Sequence, residues 1–167
     1  MAGDGRVIVM GRKGARDVFV SDREVEAIEV APGGVTVRPI WHYSGESSVP
    51  HSGKRPPLAP DFPPVGGFHY TILTIPAGAN DAYHAFVDNV LGDHARDGKP
   101  GAHWTPTVDC IVVTQGELVL EADAQSVRVG PGESVIINGN RHRWCNPGPC
   151  DAVLHAISIG AKSELKE

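Results

Sequence analysis

The sequence predicts an all-β protein, and three observations indicate this class. The chain has 20 glycines and 14 prolines among 167 residues, a frequency that favours many turns and short elements over long helices. Short apolar and β-branched segments recur along it, each bounded by Gly, Pro, Asn or Asp. Only one stretch has the apolar spacing of a helix. Short strands in such close succession are typical of a β-sandwich or a barrel.

The predicted strands fall on both sides of one proline-rich stretch. Before it they are RVIVM, DVFVS, VEAIEV and GVTVRPIWHY, and after it FHYTILTIP, TVDCIVVT, ELVLEA, SVRV, ESVII and AVLHAISI. Hydrophobic residues make up 41% of the chain, which is enough to fill one core at this length, so we expect one domain. We divide it into N-terminal strands with an arm over residues 1–67, a barrel over residues 68–160 and a tail over residues 161–167.

Two stretches interrupt the succession of strands. Residues 44–67 are rich in Pro, Gly and Ser, and we expect them to form a surface arm of the kind that packs on a partner subunit. In NDAYHAFVDNVLGDHARDGK we expect one short helix, with Asn80 or Asp81 as its N-cap. His84 and His94 of this region are expected to be exposed, although the helix could cover the barrel. Its apolar residues at helical spacing are Tyr83, Phe86, Val87, Val90 and Leu91.

Composition and charge disfavour several classes of partner. The net charge of −5 and the absence of any run of Lys and Arg along the sequence argue against nucleic acid. No apolar segment approaches the roughly 20 residues of a membrane helix, and the N-terminus lacks the apolar core of a signal peptide. The three cysteines, Cys110, Cys145 and Cys150, form no paired CxxC array and suit a reducing compartment. We therefore expect a cytoplasmic protein with no membrane partner.

The stretch GAHWTPTVDC, residues 101–110, carries the candidate functional residues. In an extended strand residues of equal parity share a face, so His103, Thr105 and Asp109 point the same way, with Ile111 further along. A carboxylate inside VDCIVV is costly to bury without a partner, which indicates a pocket or an ion pair. Downstream, His142 begins another strand. It shares a face with Trp144 there, so polar side chains of two strands are expected to converge at the mouth of a barrel.

These segments resemble the two signature motifs of the cupin superfamily of small β-barrels. In the first motif His103 matches the first histidine, Thr105 stands in place of the second, Asp109 in place of the glutamate, and Gly116 at the glycine. In the second motif the matching residues are Gly132, Gly139, His142 and Asn146, without the family's proline. The resemblance covers residues 68–160 and is strongest for small single-domain cupins. It implies a cupin-type double-stranded β-helix, or jelly-roll, barrel with one short helix and a Pro/Gly-rich arm.

The resemblance also implies a site, a cofactor and an assembly. In cupins the motif side chains hold a divalent metal (Fe, Mn, Ni or Zn), and the matching residues are His103, Asp109 and His142. Two histidines and one carboxylate are also the ligand set of facial iron sites. Thr105 removes one imidazole from the family's set and leaves metal binding open. A small organic substrate and a homodimer are likewise implied. For the substrate pocket we expect Thr105, Trp144, His155, His69 and Ile111.

Three classes of function are compatible with these residues. The first is a metal-dependent enzyme of the oxygenase, decarboxylase or isomerase type that acts on a small organic molecule. The second is a metal-free dehydratase, cyclase or isomerase in which His103 and His142 act as acid and base and Asp109 orients one imidazole. The third is a non-catalytic barrel that only binds a ligand. Sensitivity to chelation separates the first two, and a ligand returned unchanged indicates the third.

Overall fold

The all-β prediction is confirmed. A computed structural model describes residues 5–45, 48–57, 62–95 and 98–163. The N-terminal strands are β1 (Arg6–Lys13), β2 (Arg16–Glu24), β3 (Ile28–Ala31) and β4 (Val35–Tyr43). They are followed by β5 (Phe68–Ile75), helix α1 (Asn80–Leu91) and a 3-10 turn, Gly92–Ala95. The remaining strands are β6 (Thr107–Gln115), β7 (Leu118–Glu121), β8 (Ser126–Val129), β9 (Ser134–Asn138), β10 (Arg143–Cys145) and β11 (Ala152–Gly160).

Three antiparallel sheets organise these strands. The largest has the order β3-β4-β5-β11-β6-β9, a smaller one has the order β10-β7-β8, and β1 and β2 form a separate hairpin. Ile111 and Leu154 of the large sheet and Leu118 and Trp144 of the small sheet belong to one buried cluster, so the two sheets enclose a common core. Helix α1 contributes Tyr83 to the same cluster and therefore closes one side of the barrel.

Strand β6 has the alternation that its sequence predicts. Thr107, Asp109, Ile111 and Val113 are buried, while the residues between them are more exposed. β6 lies in the interior of the large sheet, because it pairs with β11 on one side and β9 on the other. The inward face of β6 therefore lines the barrel interior, with its polar residues at one end.

The expected N-cap of the helix is wrong. Ala79 occupies the N-cap position, and no side chain caps the helix there. Asn80 instead makes two tertiary bonds: its side-chain amide donates to the Asn146 carbonyl at 2.7 Å, and its side-chain oxygen accepts from the Asn146 amide at 2.7 Å. A side chain committed to the strand segment opposite is no longer available to cap its own helix.

The expected exposure of His84 is also wrong, since only 2% of the residue is exposed. Its Nε2–H donates to the Trp144 carbonyl at 2.8 Å, and the Arg143 guanidinium lies 3.2 Å from its Nδ1. His94 is half-buried, and its ring centroid lies 4.3 Å from that of Trp104. Both histidines are covered because the helical region lies against the barrel, where its polar residues meet the ends of strands.

The described part of the proline-rich arm packs on its own chain. The Arg12 amide donates to the His51 carbonyl at 2.8 Å, and the rings of Tyr43 and His51 are 5.5 Å apart. The arm's contact with a partner subunit and the homodimer stay predictions. All three cysteines are free thiols. Within the described residues, no helix has the length and apolar character needed to span a membrane.

Asn146 fixes the connection between the helix and the strands, and its removal is expected to destabilise the fold. Its side-chain amide donates to the carbonyls of Ile75 and Cys150, and its side-chain oxygen accepts from the Gly148 amide. Asn146 is only 2% exposed and Ile75 is fully buried, so Asn146→Ala removes a donor from the buried Ile75 carbonyl and also breaks the two bonds to Cys150 and Gly148. We expect the free energy of unfolding in urea to fall by about 2–3 kcal/mol.

Asn138→Ala is the matched control, because Asn138 is exposed at the end of β9. A change of less than about 0.5 kcal/mol is expected for that variant. Equal stability of the two variants would contradict the role assigned to Asn146.

Candidate functional site

A cavity of about 200 Å³ lies inside the barrel, and most of the predicted site residues line it. His103, Asp109 and His142 line it, together with three residues of the predicted pocket, Thr105, Ile111 and Trp144. The rest of the wall is formed by Val37, Thr71, Leu73, Tyr83, Phe86, Val87, Val90, Leu91, Leu154, Ala156 and Ser158. The polar residues therefore gather in a cavity whose other walls are mainly apolar.

His103 and His142 are held together by their main chains. The His103 amide donates to the His142 carbonyl at 2.9 Å, and the His142 amide donates to the His103 carbonyl at 2.8 Å. This reciprocal pair is an isolated antiparallel bridge outside the named strands. The imidazole centroids are 4.4 Å apart, with 55° between the ring planes. Two segments far apart in sequence thus present their imidazoles as one pair.

Each imidazole also has its tautomer fixed by a carbonyl two residues earlier. Nδ1 of His103 lies 2.9 Å from the Gly101 oxygen, and Nδ1 of His142 lies 2.9 Å from the Asn140 oxygen. A carbonyl only accepts, so both Nδ1 atoms carry the proton and donate. In a neutral imidazole the Nε2 atom is then an unprotonated acceptor.

Burial keeps both imidazoles neutral. Burial and, to a smaller extent, the neighbouring His142 lower the pKa of His103 to about 4, while the Gly101 carbonyl and Asp109 oppose this shift. Burial lowers the pKa of His142 as well, against the Asn140 carbonyl. At neutral pH His103 therefore presents an unprotonated Nε2 lone pair inside the cavity.

The Asp109 carboxylate is buried and held by two threonine hydroxyls. Thr107 Oγ1 lies 3.0 Å and 3.1 Å from the two carboxylate oxygens. Thr105 Oγ1 lies 3.3 Å from one of these oxygens and 2.7 Å from Thr107 Oγ1. Hydroxyl donors compensate part of the cost of burying a carboxylate. Thr105, which replaces the second motif histidine, thus contributes to a network that orients Asp109.

The three expected metal ligands do not form a metal-binding cluster in this arrangement. Among the described residues, no group of three or more His, Cys, Asp or Glu side chains is placed to hold a metal ion. The two imidazoles could bind a metal, because each Nε2 lone pair is available while Nδ1 donates to a carbonyl. The Asp109 oxygens instead face hydroxyl donors. In this arrangement Asp109 is not placed to complete a ligand set with the two imidazoles, and metal binding by the three residues stays a prediction.

Helix α1 forms an apolar wall of the cavity. Tyr83, Phe86, Val87, Val90 and Leu91, the residues whose spacing predicts the helix, face the cavity. Val90 remains 58% exposed, so the helix also borders the opening to solvent. The suggestion that the helix covers the barrel is consistent with this placement.

The structure places His155 and His69 outside this cavity. On β11 the residues that line it are Leu154, Ala156 and Ser158, so His155 has the opposite parity and lies on the outer face, 2.8 Å from the Tyr70 hydroxyl. His69 lies beyond Thr71 on β5 and contacts the His42 ring, with centroids 5.7 Å apart. Neither histidine supplies the imidazole that Thr105 replaces.

Sequence reasoning missed three polar residues of the wall: Thr71, Tyr83 and Ser158. Ser158 pairs with Asp109 across the β11–β6 register and so lies near the polar end. The signal for Ser158 was its spacing of two residues from Ala156 on β11, because small side chains on one face leave room for a cavity. Burial raises the pKa of Tyr83, which keeps its hydroxyl protonated.

Comparisons with known proteins identify the same fold. Residues 94–158 match the family model of the cupin domain. The cupin domain of Cnp3 from Schizosaccharomyces pombe is similar with a TM-score of 0.52 and 13% identity, over 95% of this chain and 89% of that chain. KdgF from Halomonas sp. is similar with a TM-score of 0.48 and 13% identity, over 80% and 86% of the two chains. No curated protein matches the sequence. At 13% identity, the similarity to the Cnp3 cupin domain establishes the fold alone.

The lowered pKa of His103 predicts a loss of stability in acid. An unfolded histidine takes up a proton near pH 6.5, whereas folded His103 does so near pH 4. The unfolded state therefore binds more protons between these values, and the free energy of unfolding falls as the pH decreases through this window. By the acidic end of this window, near pH 4, His103 is expected to have lowered the free energy of unfolding by about 3 kcal/mol.

The measurement is urea unfolding of wild type and His103→Gln at several pH values between about 4 and about 6.5. Glutamine does not titrate, so the variant is expected to gain stability relative to wild type as the pH falls. A stability difference that is constant over this range would contradict the neutral, buried state of His103.

Proposed function

We propose that this chain, which belongs to the cupin superfamily, is an enzyme that transfers a proton within a small, mainly apolar organic molecule. The reaction type is that of a metal-free isomerase, cyclase or dehydratase. The observation that carries this proposal is the pair of neutral imidazoles, His103 and His142, whose Nδ1 protons are bound by carbonyls and whose Nε2 atoms are acceptors.

The cavity wall supports the class of substrate. Residues of helix α1, including Phe86 and Leu91, and Leu73 and Leu154 of the large sheet provide apolar contact. The imidazoles and Asp109 occur together, so a suitable ligand has an apolar body and one polar end. A volume of about 200 Å³ suits a compact molecule rather than a polymer.

His103 is the proposed general base. Asp109 favours the charged form of His103, which means that the carboxylate stabilises the imidazolium created by proton transfer. The Gly101 carbonyl adds to this stabilisation, because it accepts the Nδ1 proton of His103 in both charge states. His103 Nε2 therefore removes the substrate proton, and the neighbouring groups offset part of the cost of the buried charge.

His142 is the proposed positioning group for the substrate's polar end. Its Nε2 atom accepts a hydrogen bond from a substrate hydroxyl, since its Nδ1 proton is bound to Asn140. The proton held by His103 then returns to the same molecule. Delivery to another carbon completes an isomerisation, and delivery to a leaving hydroxyl releases water and forms a double bond.

A metal-dependent reaction of the oxygenase, decarboxylase or isomerase type is the alternative. The free Nε2 atoms of His103 and His142 favour it, because metal-binding imidazoles commonly have their other nitrogen fixed by a carbonyl. It requires Asp109 to exchange its threonine donors for a metal. A non-catalytic ligand-binding barrel is the remaining class, and it differs from an enzyme in leaving its ligand without proton exchange.

Proton transfer can be tested before the reaction is known. Ligands are selected from a panel of small apolar carbonyl and hydroxy compounds by the shift they cause in the melting temperature. Each is then incubated with the protein in D₂O, and loss of its C–H signal is followed by ¹H NMR. We expect His103→Gln to slow the exchange by about 100-fold or more while ligand binding persists, because the base is removed.

His155→Gln is the matched control, since His155 lies on the outer face of β11. It is expected to exchange at the wild-type rate. A ligand that binds in the cavity without exchange or conversion would contradict the enzymatic proposal and favour a binding module.

The metal requirement is tested on the same exchange reaction. We expect exchange to continue after dialysis against EDTA, and plasma mass spectrometry of tag-free protein to find metal well below one equivalent. Near-stoichiometric Fe, Mn, Ni or Zn that is lost in His142→Ala, together with loss of exchange on chelation, would favour the metal-dependent alternative instead.

A further inference from the structure

A second, larger groove lies outside the barrel, between the β1–β2 hairpin and the proline-rich arm. Its volume is about 750 Å³, and it shares no lining residue with the central cavity. Five basic residues line it: Arg12, Lys13, Arg23, Lys54 and Arg55. They come from β1, β2 and the arm, so the fold collects positive charges that form no single run in the sequence.

The groove has an excess of positive charge in a chain whose net charge is −5. Among the residues that the structure describes, no Asp or Glu lines the groove. Arg12 forms a long ion pair, with 3.7 Å between its Nε and Asp17 Oδ1. The Arg55 guanidinium donates a hydrogen bond to the Pro39 carbonyl. Burial lowers the pKa of Arg55, and the like charge of Arg23 lowers it further. An anion in the groove would relieve this repulsion.

Two aromatic side chains border the same groove. Phe19 is 72% exposed, which is unusual for a large apolar side chain, and Trp41 is half-buried. Flat aromatic rings in a basic setting provide surfaces on which a base can stack. The groove therefore combines the two features that phosphate groups and a planar ring require.

We propose that this groove binds a free nucleotide, with its phosphates among the basic side chains and its base against Phe19. The volume is in the range of small-ligand sites. A long nucleic acid is disfavoured, because the acidic remainder of the chain repels a polyanion that extends beyond the groove. The proposal is independent of the barrel chemistry.

The test is isothermal titration of the full chain with ATP, tripolyphosphate and adenosine at low ionic strength. ATP is expected to bind more tightly than either of the other two, and its affinity is expected to fall as salt is added. Lys54→Glu is expected to weaken ATP binding by about tenfold or more, because a charge-assisted contact becomes repulsive. Lys162→Glu, an exposed lysine outside the groove, is the charge-matched control and should bind as wild type.

Phe19→Ala separates stacking from charge. It is expected to reduce ATP affinity toward that of tripolyphosphate and to leave tripolyphosphate binding unchanged. Far-UV circular dichroism and melting temperature check that each variant is folded, and the wild-type titrations decide the question even if one variant is not. Absence of ATP binding, equal affinity for ATP and tripolyphosphate, or much tighter binding of a single-stranded oligonucleotide would each overturn the proposal.

Discussion

The candidate site depends on the reciprocal main-chain bridge between His103 and His142. These two hydrogen bonds connect the segment before β6 to the segment before β10 and set the imidazoles 4.4 Å apart. The carbonyls of Gly101 and Asn140 then fix which ring nitrogen carries the proton. Because the main chain fixes both position and tautomer, the site is preorganised before a ligand binds.

The segment around β10, which begins directly after His142, also anchors the helix that covers the cavity. Asn80 bonds with Asn146, and His84 bonds with the Trp144 carbonyl, just beyond His142. The apolar wall on α1 and the polar end of the cavity are therefore positioned by one stretch of chain. A change that loosens this stretch is expected to affect both the packing of the helix and the geometry of the imidazole pair.

Strand parity and motif resemblance were sufficient to predict the fold and to predict that His103, Asp109 and His142 lie close together at one cavity. Alternation in TVDCIVVT placed Asp109 inside, and the motif matches brought His103 and His142 together with it. It was harder to predict on which face of their strands the other histidines lie. A residue such as His155 fits either face until the register of β11 is known. His84 and Asn80 were misjudged because tertiary contacts replaced exposure and capping. The basic groove joins segments distant in sequence, so no local pattern revealed it.

The most direct test of the account is the protonation state of the two imidazoles, measured by long-range ¹H–¹⁵N NMR on ¹⁵N-histidine-labelled protein, with His103→Gln and His142→Gln used to assign the signals. The account predicts that both rings are neutral at neutral pH, with the proton on Nδ1 and a bare Nε2. It further predicts that His103 titrates near pH 4. A proton on Nε2 of either ring, or a charged imidazolium at neutral pH, would contradict it.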